Sequence, residues 1–242
     1  MRTDVSEYLS IPWLQGRPNS CIFFVMKKCF ILFQFFFQSI MCFAQVPVSK
    51  EPRHRNVFEN AFVRVLDVHL PPGDTSLFHK HETPSVFIVL HPVKTGSEVI
   101  IEEAKATALT KDPTITFEGF YIKPRVHRVW NSDTSDFHVM DIEILNKVHK
   151  NISPMDQAGF QFLFNEKPVS AYRFSLNAGA DIKLKRESPF LIVGLSDAIN
   201  NVMVNKKPFS KKGDFLFIPA GESIEFSSKE EKEYSFAVLE FK

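Results

Sequence analysis

GDTSLFHKHETPSVFIVL, residues 73–90, sets two histidines one residue apart between a Gly-Asp turn and an apolar run. On an extended strand, residues i and i+2 project to the same face. His79 and His81 therefore aim two imidazoles at one side of a sheet, where both can reach a single metal ion. Neutral imidazole suits iron, zinc, copper and nickel. Paired histidines are also ordinary polar residues of a wet strand face, so the pair has to be weighed with its surroundings. PRVHRVWN, residues 124–131, supplies a third imidazole, His127, downstream.

The surroundings read as short strands and turns. AFVRVLDVHL (61–70) alternates as a strand does, and PPGD (71–74) is a turn. SLFHKH and SVFIVLH read as two strands, or as one bent at Pro84. EVIIEE, KATALT, TITFEGFYIK, VHRVWN and FHVMDIEIL (137–145) continue the series, and NKVHKNISPMDQAG (146–159) interrupts it as a connector. SAYRFSLN, FLIVGLS, NNVMVN, DFLFIP, SIEFSS and YSFAVLEF then follow. No long segment has helical periodicity. Short strands at near-regular spacing predict an all-β sandwich or barrel, here in two halves of similar length that hint at an internal duplication. All eight histidines lie between His54 and His149, so imidazole chemistry belongs to the first half.

These residues resemble the two motifs of the cupin family. The first motif places a glycine five residues ahead of His-x-His; here Gly73 is followed by DTSLF and His79-Lys80-His81. The second runs from glycine through Pro-x-Gly-x-x-His to Asn; here Gly119, Pro124, His127 and Asn131 keep its order, with a shortened turn that lacks the second glycine. GDFLFIPAGESIEF (213–226) repeats the second motif with Gly213, Pro219 and Gly221, but Ile224 stands in the place of the histidine. The first motif has a faint echo, Gly179 and then Lys185-Arg186-Glu187.

The resemblance implies double-stranded β-helix barrels (cupin, jelly-roll-like), two in tandem, making a bicupin. Residues 45–148 would form a metal-competent barrel and residues 149–242 a barrel without metal ligands. It also implies one divalent transition metal held by His79, His81 and His127, Fe(II) first, with Mn, Ni or Zn as alternatives. A family glutamate would stand four residues after His81, where this chain has Ser85, and Glu82 alternates to the opposite face. The fourth position is left to water, substrate or another side chain. Three protein ligands with open positions is the arrangement of a catalytic rather than a closed structural metal.

The first 44 residues differ from the rest. MKKCFILFQFFFQSIMCFAQ begins at Met26 with two lysines, continues through an apolar run, and sets small residues Cys42 and Ala44 before Gln45. That is the layout of a secretory signal peptide, and the run falls short of the roughly 20 residues a membrane span needs. The alternative is an uncleaved anchor. Met26 is also a natural start, with residues 1–25 an over-extension of the reading frame or a long n-region. The expectation is export to the periplasm or beyond, with no membrane attachment after cleavage. All three cysteines lie in the leader, so no disulfide supports the remainder. Lys and Arg number 29 against 28 Asp and Glu, a net charge of +1, which gives no electrostatic case for nucleic acid. No glycine-rich phosphate loop is present, so nucleotide binding is unsupported as well.

Other residues have two readings each. His69 and His138 are support for the ligands or barrel wall, while His54, His91 and His149 sit near turns or connectors and read as solvated. Trp130 reads as packing on the face opposite His127. Arg125 and Arg128 are anchors for an anionic substrate or a solvated edge, Phe78 and Phe87 are cavity lining or barrel filling, and Asn131 is a hydrogen-bonding turn residue. No catalytic acid or base is assigned: Glu103, Glu143 and Tyr121 are candidates not distinguished from structural residues. The leading expectation is an exported metalloenzyme with dioxygenase-type chemistry on a small organic molecule, isomerase or lyase chemistry coming second. The rivals are a non-catalytic module for a metal or small ligand, and a structural or interaction protein. The resemblance also implies pairing through sheets, and hence a homodimer.

Overall fold

SVFIVLH and FLIVGLS carry apolar residues at successive rather than alternate positions. Such strands are covered on both faces, and the structure shows what covers them. The computed structural model describes residues 45–100, 105–106, 113–119, 123–197, 201–229 and 231–242; the leader, Glu103 and Tyr121 lie outside the described residues. Among the described residues the only helical piece is a single 3-10 turn at Val48–Lys50.

The first half contributes β1 (Val46–Pro47), β2 (His54–Glu59), β3 (Val63–Leu70), β4 (His79–His81), β5 (Ser85–His91), β6 (Thr95–Val99), β7 (Lys105–Ala106), β8 (Thr114–Glu118), β9 (Arg125–Asn131) and β10 (Phe137–Ile144). The second contributes β11 (Phe160–Asn165), β12 (Val169–Leu176), β13 (Asp181–Lys185), β14 (Phe190–Gly194), β15 (Val202–Val204), β16 (Lys207–Pro208), β17 (Phe215–Ile218), β18 (Ser223–Ser228) and β19 (Tyr234–Phe241). Four sheets result: A, β1-β4-β9-β6-β7; B, β2-β3-β10-β5-β8; C, β11-β12-β19-β14-β17; and D, β13-β18-β15-β16. Among the described residues no sheet mixes the halves, yet residues 45–242 form one compact unit.

Alternation along the strands explains this. On β3, Val63 and Val65 face out of the first barrel, whereas Leu66, Val68 and Leu70 face in. On β5 and β10 the outward set is Val86, Ile88, Leu90, Met140, Ile142 and Ile144. These residues pack against Val169, Ala171, Leu191, Val193, Leu239 and Phe241 of sheet C. One of the two main apolar clusters among the described residues is thus the seam between the two barrels.

The interiors differ sharply. The second barrel is filled by Tyr172, Phe174, Phe190, Phe209, Phe226 and Phe236, each at most 1% exposed. The first barrel has only a small apolar cluster around Leu66, Val68, Leu70 and Val139, with Phe87, Val89 and Phe137 beside it. The rest of its interior is polar and carries the histidines.

Three pairings among the described residues break strict alternation; one is β10 with β5, which shifts register between His138 and Val139. β2 and β11 are edge strands of sheets B and C, and each shifts register once, between Asn56 and Phe58 and between Phe162 and Phe164. A bulge of this kind breaks the period-2 pattern. The stretch from Ser76 to His91 is two strands in different sheets, β4 in A and β5 in B, not one bent strand.

Candidate metal centre

β4 and β9 pair antiparallel with His79 opposite His127. Same-face alternation then brings His81 alongside, so sheet A alone delivers three imidazoles to the barrel interior; His79, His81 and His127 are 1%, 2% and 8% exposed. The lead-in turn is set by Gly73, whose φ of +75° favours glycine. Gly73 N–H donates to the Asn131 carbonyl and Asn131 N–H to the Asp74 carbonyl. The Asn131 side chain donates to the Leu70 and Ser135 carbonyls at 2.8 Å each, which fits its reading as a hydrogen-bonding turn residue.

A fourth imidazole arrives from sheet B. His54 opens β2, is buried, and joins His79 and His81 with one ligand atom of each within 4.8 Å of the others. This corrects the expectation that His54 is solvated. A clamp places it. Arg53 makes two bonds to Asp74, 2.9 and 2.8 Å, and Glu51 accepts from His54 Nδ1 at 2.7 Å, from Leu77 N–H at 3.0 Å and from Arg53 N–H at 2.6 Å. The start of β2 is thereby tied to the approach of β4.

His54, His79 and His127 each have a hydrogen-bond partner at Nδ1. Glu51 holds that of His54, the Leu77 carbonyl that of His79 at 2.8 Å, and Ser97 Oγ lies 3.2 Å from that of His127. Asp141 Oδ2 approaches His81 Nδ1 to 3.5 Å. A carbonyl and an ionised carboxylate only accept, so His79 and His54 carry their protons on Nδ1 and present bare Nε2 lone pairs. His81 Nε2 and His127 Nε2 face one another at 3.1 Å, and at most one can hold a proton between them. Imidazoles gathered in a buried pocket, with the far nitrogens of His54 and His79 held by acceptors, match the pattern by which proteins orient imidazoles on a metal. The donor set therefore fits a divalent transition ion.

Electrostatics agree. Burial, reinforced by the neighbouring histidines, depresses His79 to about 4 and His127 to about 2, and depresses His81 as well. Burial alone would raise Glu51, but its bonds from His54, Leu77 and Arg53 outweigh that and leave it lowered. Burial and then the charge of Glu143 push Asp141 well above the usual carboxylate range. A consequence for the metal-free protein follows. An imidazole near 6.5 in the unfolded chain and near 4 in the folded one takes up its proton only on unfolding between those values. Stability is then complete above about pH 6.5 and declines as the pH falls toward 4, by up to about 1.4 kcal/mol per pH unit for each such histidine. The urea midpoint of metal-free protein should be clearly lower at about pH 5.5 than at about pH 7.5; equal midpoints would contradict neutral burial.

The histidines open on a cavity of about 210 Å3 walled by Phe87, Val89, Phe137 and Val139, with Thr116 and Arg125 as polar members. Arg125 is partly exposed and loosely paired with Glu118 at 3.6 Å, so it borders the site; Arg128 instead faces outward over Phe78 and pairs with Glu98. Trp130 lies on the outer face of sheet A, against Gly96. Ser85 turns its hydroxyl to the Thr83 carbonyl. Glu143 is held by Arg64 at 2.6 Å, a structural ion pair. His69 and His138 sit on the opposite face of sheet B, away from the cavity.

No protein-family model matches the chain, and no curated protein matches it by sequence. Solved structures do. Salicylate 1,2-dioxygenase from Pseudoaminobacter salicylatoxidans, in an adduct with gentisate, aligns at 11% identity over 87% of this chain and 78% of that chain, with a TM-score of 0.56. Bacterial pirin YhhW from Escherichia coli, in complex with nickel(II), aligns at 15% identity over 77% and 89%, with a TM-score of 0.53. AerE from Microcystis aeruginosa aligns at 9% identity over 79% and 98%, also at 0.53. The fold is that of the cupins. At these identities the likeness carries the fold and no more.

Within this cupin fold the two barrels can be matched position by position. Leu70 pairs with Phe137 as Leu176 pairs with Tyr234, and His79 pairs with His127 as Leu184 pairs with Ile224. Leu184 and Ile224 therefore stand where His79 and His127 stand, and Arg186 follows where His81 would be. The faint first-motif echo is thus out of register by one: the turn after Gly179 is a residue shorter, so Lys185 and Glu187 are not the equivalents. Arg186 reaches the fully buried Glu240 at 2.7 Å, and Ser188 Oγ donates to the same carboxylate at 2.5 Å. An ion pair and aromatic rings occupy the second cupin barrel where the first has imidazoles and space.

Proposed function

We propose that the first barrel binds one divalent transition metal through His54, His79, His81 and His127 and uses it on a small organic molecule admitted to the adjoining cavity. The observation that carries this is four imidazoles gathered at that cavity: His54, His79 and His81 offer ligand atoms within 4.8 Å of one another, His127 Nε2 lies 3.1 Å from His81 Nε2, and acceptors hold Nδ1 of His54 and His79. When bound, the ion would supply Lewis acidity or a redox couple for dioxygen chemistry. The chain's own residues would do the rest. The apolar wall of Phe87, Phe137 and Val139 excludes water and holds a flat or branched hydrocarbon portion, while Arg125 offers a charge to an anionic group at the open side. Asp141 and Glu51 keep His81 and His54 oriented. Dioxygenase-type chemistry is the favoured reaction class, and export, supported by the layout of the leader alone, is part of the proposal.

A non-catalytic binding module is the second reading, favoured by the count of imidazoles. Four saturate an ion that prefers four ligands, as zinc does, whereas an ion accepting six keeps two positions for substrate or solvent. Metal analysis of protein purified without a metal-binding tag, after iron-, manganese-, nickel- and zinc-replete growth, is the test. Stoichiometric metal is expected, reduced at least tenfold in His79→Ala/His81→Ala. A metal-free parent under all four conditions would sink both readings. Oxygen consumption with catechols, flavonols and keto acids then separates enzyme from binder.

A further inference from the structure

The eight histidines do not all serve the interior. Asp67 and His69 alternate on β3 toward the outer face of sheet B, and His138 of β10 lies in register opposite His69. His91 of β5 lies in register with His138. Three histidines thus stand side by side on three adjacent strands, on the far side of the sheet from the barrel cavity. We propose that Asp67, His69 and His138 form a second, outward-facing site for a divalent cation of the zinc type, with Asp136 as the residue that positions His69.

The geometry is specific. His138 Nε2 lies 2.7 Å and His69 Nε2 3.4 Å from the same oxygen, Asp67 Oδ1. The two rings stack with centroids 4.0 Å apart and planes 19° from parallel, and the three ligand atoms lie within 4.8 Å of one another. Asp136 Oδ2 accepts from His69 Nδ1 at 2.7 Å. That bond places the proton on Nδ1, so a neutral His69 presents an Nε2 lone pair to a carboxylate oxygen. Two acceptors facing each other are relieved by a cation between them. Arg55 takes the other Asp67 oxygen, Oδ2, at 2.7 Å, which leaves Oδ1 to the cluster. In the ion-free arrangement His138 Nε2–H donates to Asp67; loading would release that one proton and place both Nε2 atoms and Oδ1 on the ion.

Two imidazoles and a carboxylate suit zinc and its neighbours in the transition series. The carboxylate on the far nitrogen of His69 is the usual outer support for such ligands. Access is direct. Asp67 and His138 side chains are 15% and 17% exposed and His69 is 45% exposed, at the wall of a cleft of about 600 Å3 shared with the second barrel. The 211–214 loop of that barrel comes close above the site: a side-chain carbon on Gly213 would lie 3.2 Å from the His138 ring. Among the described residues the cleft carries four cationic and four carboxylate side chains, so its field does not repel a cation. The site lies on the opposite face from the inner histidines and stands whether or not those hold a metal.

Calorimetric titration of the chelator-stripped full chain with zinc(II) tests this. The parent is expected to take up two equivalents, His79→Gln/His81→Gln one, His69→Gln/His138→Gln one, and the fourfold variant none. Asp136→Asn, a change at an exposed position, should weaken one equivalent roughly 10–100-fold and leave the other unchanged. Zinc uptake by His69→Gln/His138→Gln equal to the parent's in number and affinity overturns the proposal, whatever the inner site does. Should that double variant fail to fold, Asp136→Asn decides, and two unchanged affinities there overturn it equally.

Discussion

Stripping the metal with a chelator should lower the thermal midpoint by about 10 °C. A ligand at a thousandfold excess over its dissociation constant stabilises the form that binds it by about 4 kcal/mol. For a unit of this size each kcal/mol moves the midpoint by about 2–4 °C. The larger part is expected from the inner histidines, which join sheets A and B through His54 and His79, so an ion there would cross-link the two walls of the first barrel. His54→Ala gives the finer reading. If four imidazoles hold the ion, this variant binds more weakly and its shift shrinks; if three suffice, the shift survives. Differential scanning calorimetry with and without chelator separates the two, and a parent midpoint indifferent to chelation would count against any bound metal in the interior.

The second large effect is in the other barrel. Arg186→Met should destabilise the protein by about 3 kcal/mol, because it strands the Glu240 carboxylate without its cation. Glu240 is fully buried, but Arg186 keeps 27% of its side chain exposed, which sets the expectation at the lower end of the range for broken buried pairs. Ser188 and Tyr172 still bond Glu240 and limit the loss further. The double variant Arg186→Met/Glu240→Met removes both charges and should recover most of the stability. A urea double-mutant cycle measures this coupling. If the double variant is no better than Arg186→Met alone, the pair is not what holds that end of the barrel together. Glu143 of the first barrel stands where Glu240 stands in the second, but its arginine, Arg64, comes from the neighbouring strand, at the place of Ser170; this ion pair is why Glu143 reads as structural rather than catalytic.

His79, His81 and His127 were legible because alternation and motif spacing both survive in β4 and β9, two strands without a bulge between the ligands. Ile224 was legible for the same reason, since the second motif keeps its full length in the second half. His54 was not. It opens β2, whose register shift between Asn56 and Phe58 removes the alternation that would have marked a strand. Its partner Glu51 sits ahead of any strand signal, and the Arg53–Asp74 contact that brings both to the site joins residues far apart in sequence. Asp141 was read only as part of a strand. Nothing local distinguishes a carboxylate facing a barrel interior from one on a wet face, and only the packing of β10 between β3 and β5 decides it. The outer row of His69, His138 and His91 was hidden similarly, because cross-strand register is not written in any one strand.

The seam between sheets B and C has a consequence for how the molecule is made. A chain still being synthesised, complete only through β10, carries Val86, Ile88, Leu90, Met140 and Ile142 on a face that nothing yet covers. The cover comes from β12, β14 and β19, all of which follow β10 in the chain. The histidine-bearing barrel therefore cannot reach its native packing until β19 has been made. Its assembly is timed by a partner that contributes no imidazole of its own, and any chain that stops early is left with an adhesive surface in place of a working site.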